Sequence, residues 1–425
     1  MRRIARSAAV VLAGTLVAAC SGVEHKDVEP TRIDMAASEL AEAELLDVGI
    51  VTFDTGVVAG GQEADADADE AVSAEIRAGE SRYIPVHLKN TMQRTGHWGA
   101  VRVVPAPSEA TDVQVTGKIL VSDGETLELA VAARDATGRQ WFSHVYEASK
   151  EADEYGEYRR GDEDPFQDLY NTIANDLARH KAGLDRAAIE NIRRVSELRF
   201  AAWIAPEVFG SYLSVDEEGI RHVVRLPAAD DPMLVRVNRI REREYMLVDT
   251  LTSHYDVFYA SMWDPYVGWR RSRSEEMEAL REVEREALTR QILGGALIAG
   301  AIALDILGGG NNTASLRNVM LVGGAWSIKS GIDMGGQAEI HEDAIRELGV
   351  SFESEVKPMV VEVEGQTVEL TGSAEAQYAD WRRLLEHIYF TETGLGGLSA
   401  PPPDPQTPDP QGKSAPGAAA SQPVY

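Results

Sequence analysis

Hydrophobic positions change their period several times along this chain, and each change marks an element. Residues 45–53 are a nearly continuous apolar run, the pattern of a strand buried on both faces. Residues 59–80 carry glycines and seven acids (Glu63, Asp65, Asp67, Asp69, Glu70, Glu75, Glu80), which reads as a solvated loop. A helix is predicted over 82–94, with Pro85 in its first turn and Gly96 closing it. Residues 100–104 form a second strand, stopped by Pro105 and Pro107. Three alternating stretches follow: Val113, Val115, Ile119 and Val121 mark the first, Leu127, Leu129 and Val131 the second, and residues 140–146 the third. Ser122-Asp123-Gly124-Glu125 and Asp135-Ala136-Thr137-Gly138 have the chemistry of the turns between them. A helix over 165–180 sets Leu169, Ile173 and Leu177 at four-residue spacing. The order β-α-β-β-β-β-α predicts an N-terminal mixed-sheet αβ domain over residues 40–182, within an α+β fold.

The middle of the chain, 183–290, reads as helical, with helices over 184–202, 233–262 and 274–291 and a short strand within 220–226. Leu251, Tyr255, Phe258, Tyr259, Met262 and Trp263 recur every three or four residues. Such a stripe is a helical core in one reading and a platform for peptidoglycan sugars or a membrane-interface belt in the other. Residues 291–336 predict a glycine-rich apolar helical hairpin. The stretch 292–307 is apolar except for Asp305, and 319–332 is apolar except for Ser327, Lys329 and Ser330. Small residues recur at every fourth position, Gly295, Ala299 and Ala303 in one arm and Gly323, Ser327, Gly331 and Gly335 in the other. Each glycine costs a helix about 1 kcal/mol, so the repeat points to close packing of backbone on backbone. The hairpin is either buried within protein or inserted in a bilayer; each arm is shorter than the ~20 residues a spanning helix needs. Residues 337–394 predict a small α-β-β-α module, with Ser373 capping the last helix and Trp381, Leu384, Leu385, Ile388 and Tyr389 on its apolar face. Eight of the eighteen prolines follow Leu395, so 395–425 reads as a Pro-rich disordered tail.

Charge and cysteine usage narrow the function. Lys and Arg number 41 against 69 Asp and Glu, a net charge of −28 that repels phosphate backbones and argues against nucleic acid as a partner. One cysteine, Cys20, excludes an intramolecular disulfide and a zinc site built on cysteines. It sits at the end of an N-terminal segment with Arg2, Arg3 and Arg6, an apolar stretch over 8–19, and Leu16-Val17-Ala18-Ala19-Cys20. This segment resembles a bacterial lipoprotein signal. The resemblance implies that residues 1–19 are a signal peptide cleaved between Ala19 and Cys20, and that Cys20 carries a diacylglycerol and a further acyl chain such as palmitate. Loss of the three arginines would take the net charge to −31. Ser21 stands where an inner-membrane retention signal has Asp, which implies delivery to the outer membrane, facing the periplasm. Residues 20–39 then read as a lipidated tether.

Within the αβ region three pieces carry a second resemblance. The strand over 45–53, Ala110-Thr111-Asp112-Val113-Gln114-Val115-Thr116-Gly117, and Arg134-Asp135-Ala136-Thr137-Gly138-Arg139-Gln140-Trp141 are similar in order and spacing to periplasmic domains of the curli-secretion lipoprotein, the penicillin-binding-protein activator lipoproteins and the TolB N-terminal domain. That group implies secretion, envelope scaffolding or synthase activation, with no active-site residue to carry over. The hairpin around Glu364-Gly365-Gln366 is weakly similar to a BON domain, an envelope module linked to membrane association, although the last strand of that module is missing here.

Catalytic motifs do not appear. The nine histidines include no H-x-H, H-E-x-x-H or E-x-x-H, and there is no G-x-S-x-G or G-x-x-x-x-G-K-[ST]. His341, with Glu339, Glu342 and Asp343, is the densest His/acid cluster, and on a helix these point in different directions. The sequence therefore predicts a non-enzymatic lipoprotein with no cofactor beyond its covalent lipid and no metal. Its expected partners are the membrane, envelope proteins and peptidoglycan, with a homo-oligomer left open. Two functions stay open beside a periplasmic enzyme: a scaffold or regulator of an envelope machine, and an oligomerising export or membrane-remodelling component that inserts its hairpin.

Overall fold

A computed structural model describes residues 24–56, 68–150, 163–228, 230–306, 341, 343–350, 352, 359–363 and 366–393. Its core is a six-stranded mixed sheet of β1 (Glu24–Asp27), β2 (Val48–Val51), β3 (Val101–Val104), β4 (Val113–Ser122), β5 (Thr126–Asp135) and β6 (Gln140–Ser149). They lie in the order β1-β6-β5-β4-β2-β3. β4, β5 and β6 form an antiparallel meander, β2 runs parallel to β3 and β4, and β1 runs parallel to β6. The fold is α+β, as the hydrophobic periods predict. β2 is buried at all four positions because it lies inside the sheet with both faces covered. β5 alternates because only one of its faces meets the helices α1 (Ala68–Gln93) and α2 (Gln167–Ala182).

Helix α1 departs from expectation. It starts at Ala68, inside the segment read as a solvated acidic loop, and Pro85 lies deep in its interior. Proline has no N–H for the Ser81 carbonyl four residues back. That carbonyl instead accepts from the Phe53 N–H, 2.8 Å away, just past β2. The break in the helix ladder is thus satisfied by the sheet. Glu80, read as solvated, is fully buried.

The segment read as a lipidated tether is structured from Glu24 onward. β1 pairs with β6, and the chain after it is laced along α2. Asn171 and Asn175 donate through their side-chain amides to the carbonyls of Thr31 and Arg32, each at 2.8 Å. Asp168 and Asn175 accept from the N–H groups of Thr31 and Asp34. Lys26 Nζ meets the buried Asp176 at 2.6 Å, and the Tyr146 hydroxyl donates to the same carboxylate. Burial pushes the Asp176 carboxyl up, but Lys26, Tyr146 and Arg179 outweigh it and hold the pKa below the usual range.

Helix α3 (Arg186–Ile204) is capped by Asp185, whose side chain accepts from the Ala188 N–H at 2.7 Å. A small hairpin follows, β7 (Leu213–Val215) with β8 (Arg221–Val223). The stretches read as separate helices over 233–262, 274–291 and 292–307 are one helix, α4 (Pro232–Ile306), of 75 residues and about 110 Å. It runs along the edge strand β3, where the Thr252 hydroxyl donates to the Val103 carbonyl and Arg102 pairs with Asp249, so that edge is covered. Its stripe of Leu251, Tyr255, Phe258, Met262, Tyr266 and Trp269 is buried in the core. The C-terminal hairpin β9 (Met359–Val363) and β10 (Gln366–Leu370) leads to α5 (Ala374–Thr393). Ser373 Oγ accepts from the Ala376 N–H. The α5 face of Tyr378, Trp381, Leu385, Ile388 and Tyr389 packs in one cluster with Val103 and Val104 of β3, Phe200 of α3 and Leu251 of α4.

Candidate functional site

The densest chemistry in the described residues is a buried polar joint between α1, α4, the start of α2 and the β4–β5 turn. Asp164 and Arg270 are both fully buried and pair at 3.1 Å. Asp164 also accepts from the Tyr83 hydroxyl at 3.2 Å and the Phe166 N–H at 2.8 Å. The Arg270 guanidinium lies 3.8 Å from the Tyr266 ring centroid and 4.8 Å from that of Phe166. Glu80 accepts from the Tyr266 hydroxyl at 2.5 Å and from Ser122 Oγ, with Arg77 at 3.7 Å. Burial raises the Glu80 pKa, opposed by Arg77 and Arg270. Burial also drives the phenols of Tyr83, Tyr170 and Tyr266 far up, so they stay protonated, and Tyr83 and Tyr266 donate to Asp164 and Glu80.

His87 extends the joint. Its Nε2 lies 2.8 Å from Gln167 Oε1, and Nδ1 lies 2.7 Å from the Tyr259 hydroxyl. The Gln167 amide nitrogen is committed as donor to Thr91 and Asn171, so its oxygen faces His87. The network therefore assigns the proton to Nε2, and Nδ1 accepts from Tyr259. Burial pulls the His87 pKa down, so the ring is neutral in this network.

This arrangement is a fastener. Its carboxylates meet Arg270 and the phenols of Tyr83 and Tyr266, which come from other elements, and it locks the middle of α4 onto the sheet. A second lock lies nearer the start of α4. The buried Glu244 accepts from Tyr378 and from Trp381 Nε1, each at 2.8 Å, and so ties α5 to α4. Among the described residues no group of three His, Cys, Asp or Glu side chains is placed to hold a metal ion.

The residues singled out from sequence are not brought together here. Ala19 and Cys20 lie outside the described residues, as do Gly323, Ser327, Gly331 and Gly335. Gly295, Ala299 and Ala303 lie in the last turns of α4, where four-residue spacing sets them along one side of the helix. Past Arg281, which reaches Glu125 in the β4–β5 turn, α4 continues about 37 Å to Ile306. Among the described residues no helix is long and apolar enough to cross a membrane. The joint itself was missed, although its signal was present: Glu80 and Arg270 are charged residues on the apolar stripes Ile76-Glu80-Tyr83-Ile84 and Met262-Tyr266-Trp269-Arg270. No family model matches the chain, and comparison with curated proteins and solved structures finds no match either.

Proposed function

We propose that this chain is a lipoprotein anchored through Cys20 at the periplasmic face of the outer membrane, and that it acts as a non-catalytic scaffold or regulator of an envelope assembly or secretion machine. The observation that carries this reading is the docking of the chain from Glu24 onward. Only Ser21, Gly22 and Val23 separate Cys20 from β1. At no more than ~3.6 Å per residue, the four steps from Cys20 to Glu24 span at most about 14 Å. A lipid on Cys20 would hold the sheet against the bilayer rather than on a long leash. The rigid α4, fastened by two polar locks, then presents its far end at a fixed place relative to that surface. Photo-crosslinkers placed at exposed positions of β4 and along α4 test this in cells. The reading expects discrete adducts with envelope proteins that disappear when the signal region is replaced by a soluble export signal. Absence of adducts from every position, or adducts indifferent to anchoring, would count against it.

A second reading rests on the continuity of α4 into the apolar stretch from Ile292 to Ile306. A helix that carries small residues at every fourth position away from the body suits an export or remodelling component that oligomerises and inserts. Liposomes added to delipidated protein separate the two readings. Insertion predicts that 291–336 becomes protected from protease by lipid, and unchanged cleavage there excludes it.

A further inference from the structure

The outer face of the meander carries a feature that the hydrophobic pattern does not reveal. Gln114 of β4, Arg134 of β5 and Gln140 of β6 form one cross-strand row, with Thr116 in the next. Over this row stand α3, which brings Arg199, and β8, which brings Arg221. Together they line a cavity of about 290 Å³. β8 is held there by the Arg221 N–H, which donates to the Thr137 carbonyl at 2.7 Å.

The charge balance inside is one-sided. Asp135 lines the cavity, but its carboxylate accepts from the Thr137 N–H and hydroxyl and from Trp141 Nε1 at 2.9 Å. The acids that act on Arg199 are paired elsewhere, Glu109 with Arg382 and Asp112 with Arg241 and the Asp47 N–H. Arg199 spends Nε and Nη2 on the carbonyls of Glu109, Ser108 and Thr111, with Nη1 outside these bonds. Among the described residues, the guanidinium groups of Arg134 and Arg221 make no hydrogen bond or ion pair to protein. Three cations therefore converge on a polar cavity in a chain whose net charge is −28. At physiological salt the Debye length is about 8 Å, so distant surface acids do little to offset them. Burial pulls the Arg199 pKa down to about 10, opposed by Glu109 and Asp112 and helped by repulsion from Arg221 and Arg241.

We infer that this cavity is a binding site for a small, multiply charged oxyanion, held by Arg134, Arg221 and the free edge of Arg199, with Gln114, Thr116 and Gln140 contacting its uncharged parts. Planar guanidinium forks suit carboxylate and phosphate oxygens alike. The volume lies near the lower limit for small-molecule sites and fits a compact ligand. The site is independent of the anchoring proposal, because it is built from the folded body alone.

Calorimetric titration of the delipidated full chain with inorganic phosphate and, separately, with citrate tests it. Each runs against sodium chloride at matched ionic strength. Saturable binding of either anion is expected, and the anion preferred identifies the ligand as phosphoryl or carboxylate in kind. Arg134→Gln and Arg221→Gln should each weaken it about tenfold or more, the loss expected of one charge-assisted hydrogen bond. Both positions bear no described protein bond through the side chain, so the urea midpoint should not move. Lys118→Gln, on the same strand face but away from the cavity, should leave affinity unchanged. The proposal is overturned if neither anion binds up to about 10 mM. It is equally overturned if chloride reproduces the heat, or if the double variant binds as tightly as the parent.

Discussion

Arg270→Met is the most severe single test of the joint that holds α4. The substitution keeps a long apolar stem between the rings of Tyr266 and Phe166 but removes the cation. Asp164, fully buried, keeps only the Tyr83 hydroxyl and the Phe166 N–H as donors, and Glu80 loses one of its two opposing arginines. Removing one partner of a buried ion pair typically costs about 3–5 kcal/mol, because the remaining charge is uncompensated. Asp164→Asn should cost a comparable amount by stranding Arg270. The double variant Asp164→Asn/Arg270→Met should recover much of the loss, since both desolvated charges are gone. The pH dependence adds a sign. The folded pKa of Glu80 is raised above its unfolded value, so its contribution is full below the unfolded value and is lost as pH rises through the folded one. Without Arg270 the folded value rises further, so the deficit of Arg270→Met should be smaller at pH 5 than at pH 8. Urea unfolding of the full mature chain, followed by circular dichroism and tryptophan fluorescence, reads both effects. A single-variant loss below about 1 kcal/mol, or a double variant as unstable as the sum of the singles, would refute a buried, mutually compensating pair.

Other outcomes follow from individual contacts. The lowered pKa of His87 means the unfolded chain binds its proton first, so wild-type stability should fall as pH drops from about 6.5 towards the folded value. The difference between His87→Gln and wild type in urea should narrow over that window, and a pH-independent difference would contradict it. Gly124 has φ +95°, and a Cβ there would lie 2.7 Å from the Arg270 carbonyl, so Gly124→Ala should cost about 1–3 kcal/mol and loosen the turn from α4. Thermal unfolding with no loss would show that the turn does not bear on the helix. Glu244→Ala should cost about 1–3 kcal/mol by urea unfolding, because it leaves the buried Tyr378 hydroxyl and Trp381 Nε1 without their shared acceptor; no loss would show that this lock does not hold α5. Asp176→Ala should raise amide hydrogen exchange across 24–36 while leaving α4 protected; uniform exchange in both proteins would undo the docking of β1.

The meander was legible because alternation and turn chemistry agree over residues 113–146, where one face of the sheet is buried and the other is not. The start of α1 was not, since Asp69, Glu70 and Glu75 read as solvated and Glu80 follows them in the same acid-rich stretch. Only the arginine and hydroxyl partners that tertiary structure supplies make its burial possible. Segment 24–36 has no hydrophobic period because it is held by side-chain amides of α2, a kind of docking that leaves no periodic trace. The stretches over 233–262 and 274–291 read as separate helices, yet Tyr266, Trp269 and Arg270 between them are anchored in the core and the joint, so tertiary contacts carry α4 through. The arginine cavity could not be read, because Arg134, Arg199 and Arg221 are far apart in the chain and belong to three different elements.

Metabolic labelling with a clickable fatty acid, in cells that express the full chain or its Cys20→Ala variant, tests the lipid anchor itself. Acylation at Cys20 puts label on the wild type, recovered in the outer-membrane fraction, and none on the variant. Equal labelling of both, or an unlabelled wild type, would contradict it.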